Sequence, residues 1–340
     1  MSHAESATPA YQPQAVQLPA NHLFDTVLPV LPAAVDRGSA DRVRPGMVEE
    51  LLDSEHTRAV VLAGRQALVQ GDQLLLPAAA QLLADLRDRG SAPEQVIYLG
   101  AALDGSDLTA GTEVVLVILP EPAEPGTAGI PANAQWAGFR DLAAVLNPTA
   151  TALFVEASAI ANWHAGHTHC PRCGAHTVVE AGGWVRRCPQ DKSEHYPRTD
   201  PAIIVTVVGP DGRVLLGGGG PVDAKNYSTL AGFVEPGESL EQAVVREIHE
   251  EVGVRVTGCQ YLGSQSWPFP ASLMLGFTAI TEDAVAKPDG VEVTRARWFS
   301  REELQDAVLT GEITISSRLS IARSLIEHWY GGLIMDRTDT

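Results

Sequence analysis

The chain has 340 residues, which at ~150 residues per domain points to about two domains and a core that needs no disulfide support. Hydrophobic residues make up 45% and charged residues 19%, the balance of a globular chain and not of a disordered one. A formal net charge of −18 excludes a general binder of nucleic acid or anionic membrane, both polyanions, and leaves room only for a local site for a polyanion end.

Residues 1–20, rich in Ala, Pro, Gln and Ser, read as a loose tail without the basic start and apolar stretch of a signal peptide. A β-rich α+β domain is expected over 21–161. Its strands fall at Ala59–Leu62, Ala67–Gln70, Leu74–Leu76, Gln95–Leu99 and Glu113–Leu119, with a helix at Pro77–Arg89 stopped by Gly90. Pro120–Pro131 is a loop, and helices are expected at Phe139–Leu146 and Ala150–Ala165. Residues 162–198 form a small module of different composition, holding three of the four Cys and five of the ten His. From 199 to 335 a third unit opens with strand Ala202–Val208, a Pro210-Asp211-Gly212 turn and its partner Arg213–Leu216. A helix Ser239–Glu251 follows, then strands near Val254–Gln265, Leu273–Ile280 and Val291–Phe299, and helices near Arg301–Leu309 and Arg318–Trp329. Ser300 and Glu303 make a capping box. No internal repeat is visible in the sequence. The longest apolar runs fall far short of the ~20 residues that span a bilayer, so no membrane association is expected. Four Cys are too few for a disulfide scaffold, and the expected compartment is the reducing cytoplasm.

Cys170-Pro-Arg-Cys173-Gly174 can place two thiolates on one zinc ion. Cys188-Pro-Gln-Asp191 reads as the second half of a zinc ribbon, with Asp191 where a fourth Cys would stand. Carboxylate oxygen is an acceptable zinc ligand, and His195 is the rival fourth ligand. A redox Cys-x-x-Cys would need a thioredoxin-like context, which is absent, so one structural zinc ion is expected. Cys259, alone on a strand, reads as an inert thiol.

At 100° per residue, Glu247, Glu250 and Glu251 share an arc of about 100° on one helix face. Carboxylates so close repel unless a cation joins them, and hard oxygen ligands suit Mg²⁺ or Mn²⁺, which in turn bind substrate phosphates. A charge run alone is more often a solvated helix face. The full spacing reverses that: Gly232, Glu238, Arg246, Glu247, Glu250, Glu251 and Gly253, with apolar Ile248 and Val254, match the Nudix box at every fixed position. Seven such matches by chance are on the order of one in 10⁸ at ordinary residue frequencies. The chain resembles the Nudix hydrolases, which cleave nucleoside diphosphates linked to another moiety. That resemblance implies an α+β fold, an α/β/α sandwich with a mixed sheet, preceded here by the zinc ribbon and the N-terminal domain, itself Nudix-like.

Ser264-Gln265-Ser266-Trp267-Pro268-Phe269-Pro270-Ala271-Ser272 narrows the substrate. Aromatic rings held between prolines, with Gln and Ser beside them, make an apolar wall with directed hydrogen bonds, suited to a flat ring with a polar edge. The array is similar to the SQPWPFPxS signature of the NADH pyrophosphatase branch, the NudC-type enzymes, with Ser266 in place of the usual Pro. The resemblance implies hydrolysis of NAD(H) to AMP and nicotinamide mononucleotide, and removal of the NAD cap from RNA 5′ ends.

Carried over by position, the resemblance gives Glu247, Glu250 and Glu251 as catalytic metal ligands, joined by Glu292 and by the backbone of Ala231. It gives Phe233 as the ring that stacks nicotinamide and Tyr196 as the ring that closes the sandwich from the partner subunit of a homodimer. Gln265 through Ser272 would line the pocket, with Arg140 and the Ala322 backbone as further substrate contacts. A family glutamate in the ribbon falls on Gly183, so that contact is missing. Two or three Mg²⁺ or Mn²⁺ ions would bridge the glutamates and the diphosphate and activate a water, oriented by Glu251 or Glu250. Arg246 is expected to orient a glutamate by a bidentate pair. Arg172, Arg186, Arg187 and Lys192 offer a basic surface for an RNA 5′ end. The competing readings are a Nudix hydrolase of ADP-ribose or another nucleoside diphosphate, and a zinc-ribbon RNA-binding protein with an inactive Nudix domain. No hydride-carrier fingerprint is present, so NAD would be substrate and not cofactor.

Overall fold

A computed structural model describes residue 28 and residues 32–127, 129–142, 145–221 and 223–337; the expected tail at 1–20 lies outside the described residues. The N-terminal elements are β1 (Val35–Asp36), α1 (Met47–Leu52), β2 (Arg58–Ala63), β3 (Gln66–Gln70), β4 (Gln73–Leu74), α2 (Ala79–Asp88), β5 (Gln95–Ala102), β6 (Glu113–Leu119), β7 (Gln135–Gly138), α3 (Phe139–Leu142) and α4 (Pro148–Gly166). The sheet runs β1-β5-β6-β2-β3-β4, with β7 on β3. β2 is apolar and buried from Ala59 to Ala63 because helices cover both faces. Leu153, Phe154, Ala157 and Ile160 of α4 pack on one face, and Ala79, Leu82 and Leu86 of α2 on the other. Asn147 caps α4 by accepting from the Ala150 amide at 2.7 Å, with Pro148 in the first turn.

Of the expected helix Phe139–Leu146, Phe139–Leu142 is helical and residues 143–144 lie outside the described residues; the Val145 and Leu146 amides turn back to the Leu142 carbonyl (2.9 and 3.0 Å) before Asn147-Pro148 starts a new helix. β1, α1 and β7 were not expected; each is too short for a hydrophobic period to show.

β8 (Val178–Glu180), β9 (Val185–Arg187) and β10 (Glu194–His195) form a separate three-stranded antiparallel sheet. It is seated on the N-terminal sheet. Trp184 Nε1 donates to the Tyr98 carbonyl at 2.7 Å, and Gly183, at φ 98°, lies so close to Ile97 that no Cβ would fit. His164 of α4 bridges the Gly183 carbonyl (2.8 Å) and the buried Arg186 (2.9 Å); burial lowers its pKa to about 4, so it serves as a neutral ring.

The C-terminal unit comprises β11 (Asp200–Val208), β12 (Val214–Gly218), β13 (Leu230–Phe233), α5 (Leu240–Val252), β14 (Val256–Trp267), β15 (Ser272–Thr281), β16 (Arg295–Phe299), α6 (Arg301–Thr310) and α7 (Ile321–Tyr330). Its sheet runs β14-β15-β11-β12-β16, with β13 on β11, and β11 is parallel to β15. Ala243, Val244, Ile248 and Val252 of α5 bury against one face; α6 and α7 cover the other. This is the expected sandwich of helix, mixed sheet and helix.

The two sheets share a four-stranded core topology. The β5/β6 and β14/β15 hairpins correspond, as do the parallel pairs β2/β6 and β11/β15 and the antiparallel pairs β2/β3 and β11/β12. The chain therefore repeats a fold that its sequence does not visibly repeat.

Candidate active site and zinc module

The acidic helix α5 is closed at both ends by its own sequence. Ser239 and Gln242 form a reciprocal capping box, and Gly253 takes the left-handed conformation at φ 66° that ends the helix. Pairing of Ile203 with Gly232 brings the box-entry strand β13 beneath α5. A Cβ built at Gly232 would fall inside the Glu247 carboxylate, which explains the glycine sterically. Arg246 holds the glutamates apart. Its Nε and Nη2 donate to Glu238 at 2.8 and 2.9 Å, and its Nη1 stands 2.9 Å from Glu247 and 3.0 Å from Glu250. A further bond to the Phe233 carbonyl (2.9 Å) ties the guanidinium to β13. The bidentate partner is thus Glu238.

Glu251 stands apart. It is buried, and its Oε2 has no hydrogen-bond partner. Burial, followed by the charges of Glu247, Glu292 and Asp289, raises its pKa to about 8, against the opposing pull of the Ala231 amide. Glu247 is mostly shielded, at 13% exposure, whereas Glu250 is 60% exposed and engaged with Arg246. Glu292 is exposed on the loop before β16. Ala231, Glu247, Glu251 and Glu292 are therefore brought together, and Glu250 sits at the rim.

In the small sheet, ligand atoms of Cys170, Cys173, Cys188 and Asp191 all lie within 4.8 Å of one another. Two matching turns carry them. The Gly174 amide bonds the Cys170 carbonyl (2.9 Å) and the Lys192 amide bonds the Cys188 carbonyl (3.1 Å), with left-handed φ of 74° and 63°. Asp191 occupies in the second turn the place of Cys173 in the first. His195 is not one of the four; it borders the cluster through Ser193, whose Oγ lies 3.2 Å from His195 Nε2 and whose amide donates to Asp191 at 2.9 Å, and through a side-chain hydrogen bond to Cys170. Cys259 is half-buried on β14.

Sheet register sets the remaining candidates. Phe233, Ala202, Met274 and Gln265 lie in one row across β13, β11, β15 and β14. Phe233 is 56% exposed at one end of the row. At the other end, Gln265 donates to the Leu319 carbonyl (2.6 Å) and accepts from the Ile321 amide (2.8 Å), clamping the start of α7. Ala322 is buried there, its amide directed to Ser320 Oγ at 3.3 Å. Trp267 and Phe269 turn toward the N-terminal domain, with ring centroids 6.0 and 5.4 Å from Phe139. Pro268 and Pro270 present their carbonyls to Asn162 Nδ2, at 2.6 and 3.2 Å, and the Ala271 carbonyl accepts from Asp200. Ser272 is buried at the start of β15, and Ser266 is exposed. Gln265 and Ser266, with Trp184, Glu156, Arg198 and Ile321, line a cavity of about 740 Å³ between the units. Arg140 is exposed on α3, next to Phe139, and Tyr196 is 61% exposed with its hydroxyl on Glu194.

Residues 198–317 match the NUDIX domain family, and residues 166–196 match the NADH pyrophosphatase zinc ribbon domain. The NAD-capped RNA hydrolase NudC of Mycobacterium tuberculosis is 37% identical over 274 residues, 78% of this chain and 82% of that protein. The chain belongs to the NudC family of Nudix hydrolases. The human NAD-capped RNA hydrolase NUDT12 is 40% identical over 186 residues, covering 51% of this chain and 40% of that protein. Among solved structures, a NUDIX hydrolase from Nitrosomonas europaea is 24% identical with a TM-score of 0.37, covering 49% of this chain and 96% of that one.

In this NudC-family chain, the basic surface expected on the ribbon is mostly spent internally. Arg186 is buried against His164 and Thr177, Arg187 pairs with Glu180 and Glu194, and Lys192 donates to the Pro189 carbonyl. Net local charge did not show that these cations already had partners. Sequence reading also passed over Asp289, Ser193 and His164. Only Ser193 had a signal, being two residues from a candidate ligand; Asp289 acts through backbone amides, and His164 through the Gly183 carbonyl and an Arg186 distant in sequence, which no local motif records. In the Gly217–Gly220 run, which carries no phosphate-loop signature, the first three glycines are required by packing, a Cβ at Gly219 meeting the Glu292 carbonyl, and Gly220 by its φ of 82°.

Proposed function

We propose that this chain hydrolyses the diphosphate bond of NAD(H) to AMP and nicotinamide mononucleotide, and of the NAD cap on RNA 5′ ends. The observation that carries the reading is Glu251: a buried carboxylate with a partnerless oxygen, among Glu247, Glu292 and the Ala231 backbone. Such a group fits a hard divalent cation, which makes its ionised form favourable among these charges. Mg²⁺ or Mn²⁺ held by Glu247, Glu251, Glu292 and the Ala231 backbone would neutralise the diphosphate and acidify a water. Glu251, raised by its surroundings, would orient that water and take its proton. Glu250, tied by Arg246 at the rim, is the less direct candidate for that role. Arg246 keeps Glu238, Glu247 and Glu250 in register. Phe233 offers an open ring face for nicotinamide; the Gln265-to-Ser272 turn, Arg140 and Ala322 stand across the sheet from it and would contribute the far side of the substrate site. Tyr196 would complete it from the partner subunit in a homodimer. Three thiolates and one carboxylate fit tetrahedral zinc, with Cys170, Cys173, Cys188 and Asp191 as its ligands and His195 outside.

The test is product analysis on purified protein with Mg²⁺ or Mn²⁺ and equimolar NADH, NAD⁺, ADP-ribose and a short NAD-capped RNA. AMP plus nicotinamide mononucleotide, or 5′-monophosphate RNA, is the expected outcome. Cleavage of ADP-ribose with every nicotinamide compound left intact would overturn the substrate and leave the general diphosphatase.

A further inference from the structure

Glu292 stands on residues 282–294, a stretch between β15 and β16 without regular structure. One side chain organises its end. Asp289 Oδ2 accepts from the Glu292 amide at 3.1 Å and Oδ1 from the Val293 amide at 2.9 Å. The Asp289 amide donates to the Glu251 carbonyl at 2.9 Å, in the last turn of α5, and the Gly290 amide closes on the Val293 carbonyl at 3.0 Å. A second tether, from the Lys287 amide to the Val252 carbonyl at 2.8 Å, fixes the same loop to the same helix end. Both carboxylate oxygens of Asp289 are thereby occupied by backbone donors. Nothing in the box spacing requires a carboxylate at this position.

We propose that Asp289 is a positioning residue for the cation site: it fixes Glu292 against Glu251 so that carboxylates from two separate elements converge on one ion, without touching that ion itself. This rests on the reading of Glu251 and Glu292 as cation ligands. An outer partner of this kind typically sets metal affinity by 10–100-fold.

The experiment measures Mn²⁺ binding to the zinc-loaded protein by electron paramagnetic resonance, without substrate, for wild type, Asp289→Ala, Asp289→Asn, Glu292→Gln and the Asp289→Ala/Glu292→Gln double variant. Asp289→Ala should weaken Mn²⁺ binding by about tenfold or more. Asp289→Asn, which keeps one acceptor oxygen, should fall between it and wild type. The double variant should bind within about twofold of Glu292→Gln alone, because the two residues act as one unit. Wild-type affinity in Asp289→Ala, multiplying losses in the double variant, or equal losses for Ala and Asn would each overturn the inference, the last by making charge and not bonding the cause. If Glu292→Gln itself binds as wild type, the cation-site reading fails and takes the inference with it; a Glu292 effect with a silent Asp289 sinks the inference alone. Should Asp289→Ala not fold, Asp289→Asn in the Glu292 and Glu292→Gln backgrounds completes the same cycle.

Discussion

Glu251 and Glu156 are two buried carboxylates with opposite relations to charge. Glu251 lies among anions, so its ionised form awaits a cation. Glu251→Gln keeps the shape and removes the charge; kcat should fall by about 10³-fold, in the range of a lost general base, with the thermal midpoint unchanged or higher. Near-normal turnover in a steady-state assay would remove Glu251 from the chemistry. Glu156 lies in the inter-unit cavity with Arg37 Nε at 3.2 Å, yet burial outweighs that pair and raises its pKa to about 7. Its folded state therefore holds the proton more tightly than its unfolded state. The associated stability is complete below the ordinary carboxylate pKa and is lost as pH rises through about 7. Thermal melts of wild type and Glu156→Gln from pH 5 to 8 should show the wild type losing ground as pH rises; parallel curves would count against this assignment. The glutamates of the box were legible because a fixed spacing on a helix is one-dimensional information. Glu156 was not, since its burial depends on a ribbon and a loop far away in the chain.

Among elements, the ribbon gives the sharpest contrast between legible and hidden. The Cys-x-x-Cys and Cys-x-x-Asp turns were readable as a pair, but the choice between Asp191 and His195 needed the fold. The second turn puts Asp191 among the grouped ligand atoms, while His195 stands at their edge on Ser193 and Cys170, which favours Asp191 and leaves the ligand to be measured. Asp191→Ala should lose zinc, measured by mass spectrometry of the purified protein, whereas His195→Ala should retain it at one equivalent. The reverse result would exchange the two residues. The Trp267–Phe269 turn was legible as a rigid aromatic device, and its direction was not. Its rings face Phe139, which joins the turn to the N-terminal core, so packing between units competes with pocket formation for the same side chains. Alternation along a strand tells which residues share a face, not what stands opposite.

For the whole molecule, the two sheets share a core topology while only the second carries the box glutamates. α2 follows β4 as α5 follows β13, but its sequence AAQLLADLRD carries no glutamate, and its exposed Gln81 bonds Asp85 instead. Retention of the sandwich needs only buried apolar positions, which many sequences satisfy, and so the repeat is invisible residue by residue. The dimer proposal also belongs at this scale. Mixing Tyr196→Ala with Glu251→Gln protein should restore about a quarter of wild-type turnover, since half the dimers are mixed and each holds one intact site. Activity no higher than the sum of the separate variants would place Tyr196 in its own protomer's site.

β11 starts at Asp200, four residues beyond Tyr196, and the Asp200 amide is already bonded to Ala271. On the other side, Gly183 and Trp184 are pressed into the N-terminal sheet. The ribbon is thus a mortise and not a tether. A protease seeking to separate the halves would find no slack chain there, and should nick first in the proline-rich loop around 120–133, inside the N-terminal unit. Anyone cutting out the catalytic half for separate expression would have to take the mortise with it.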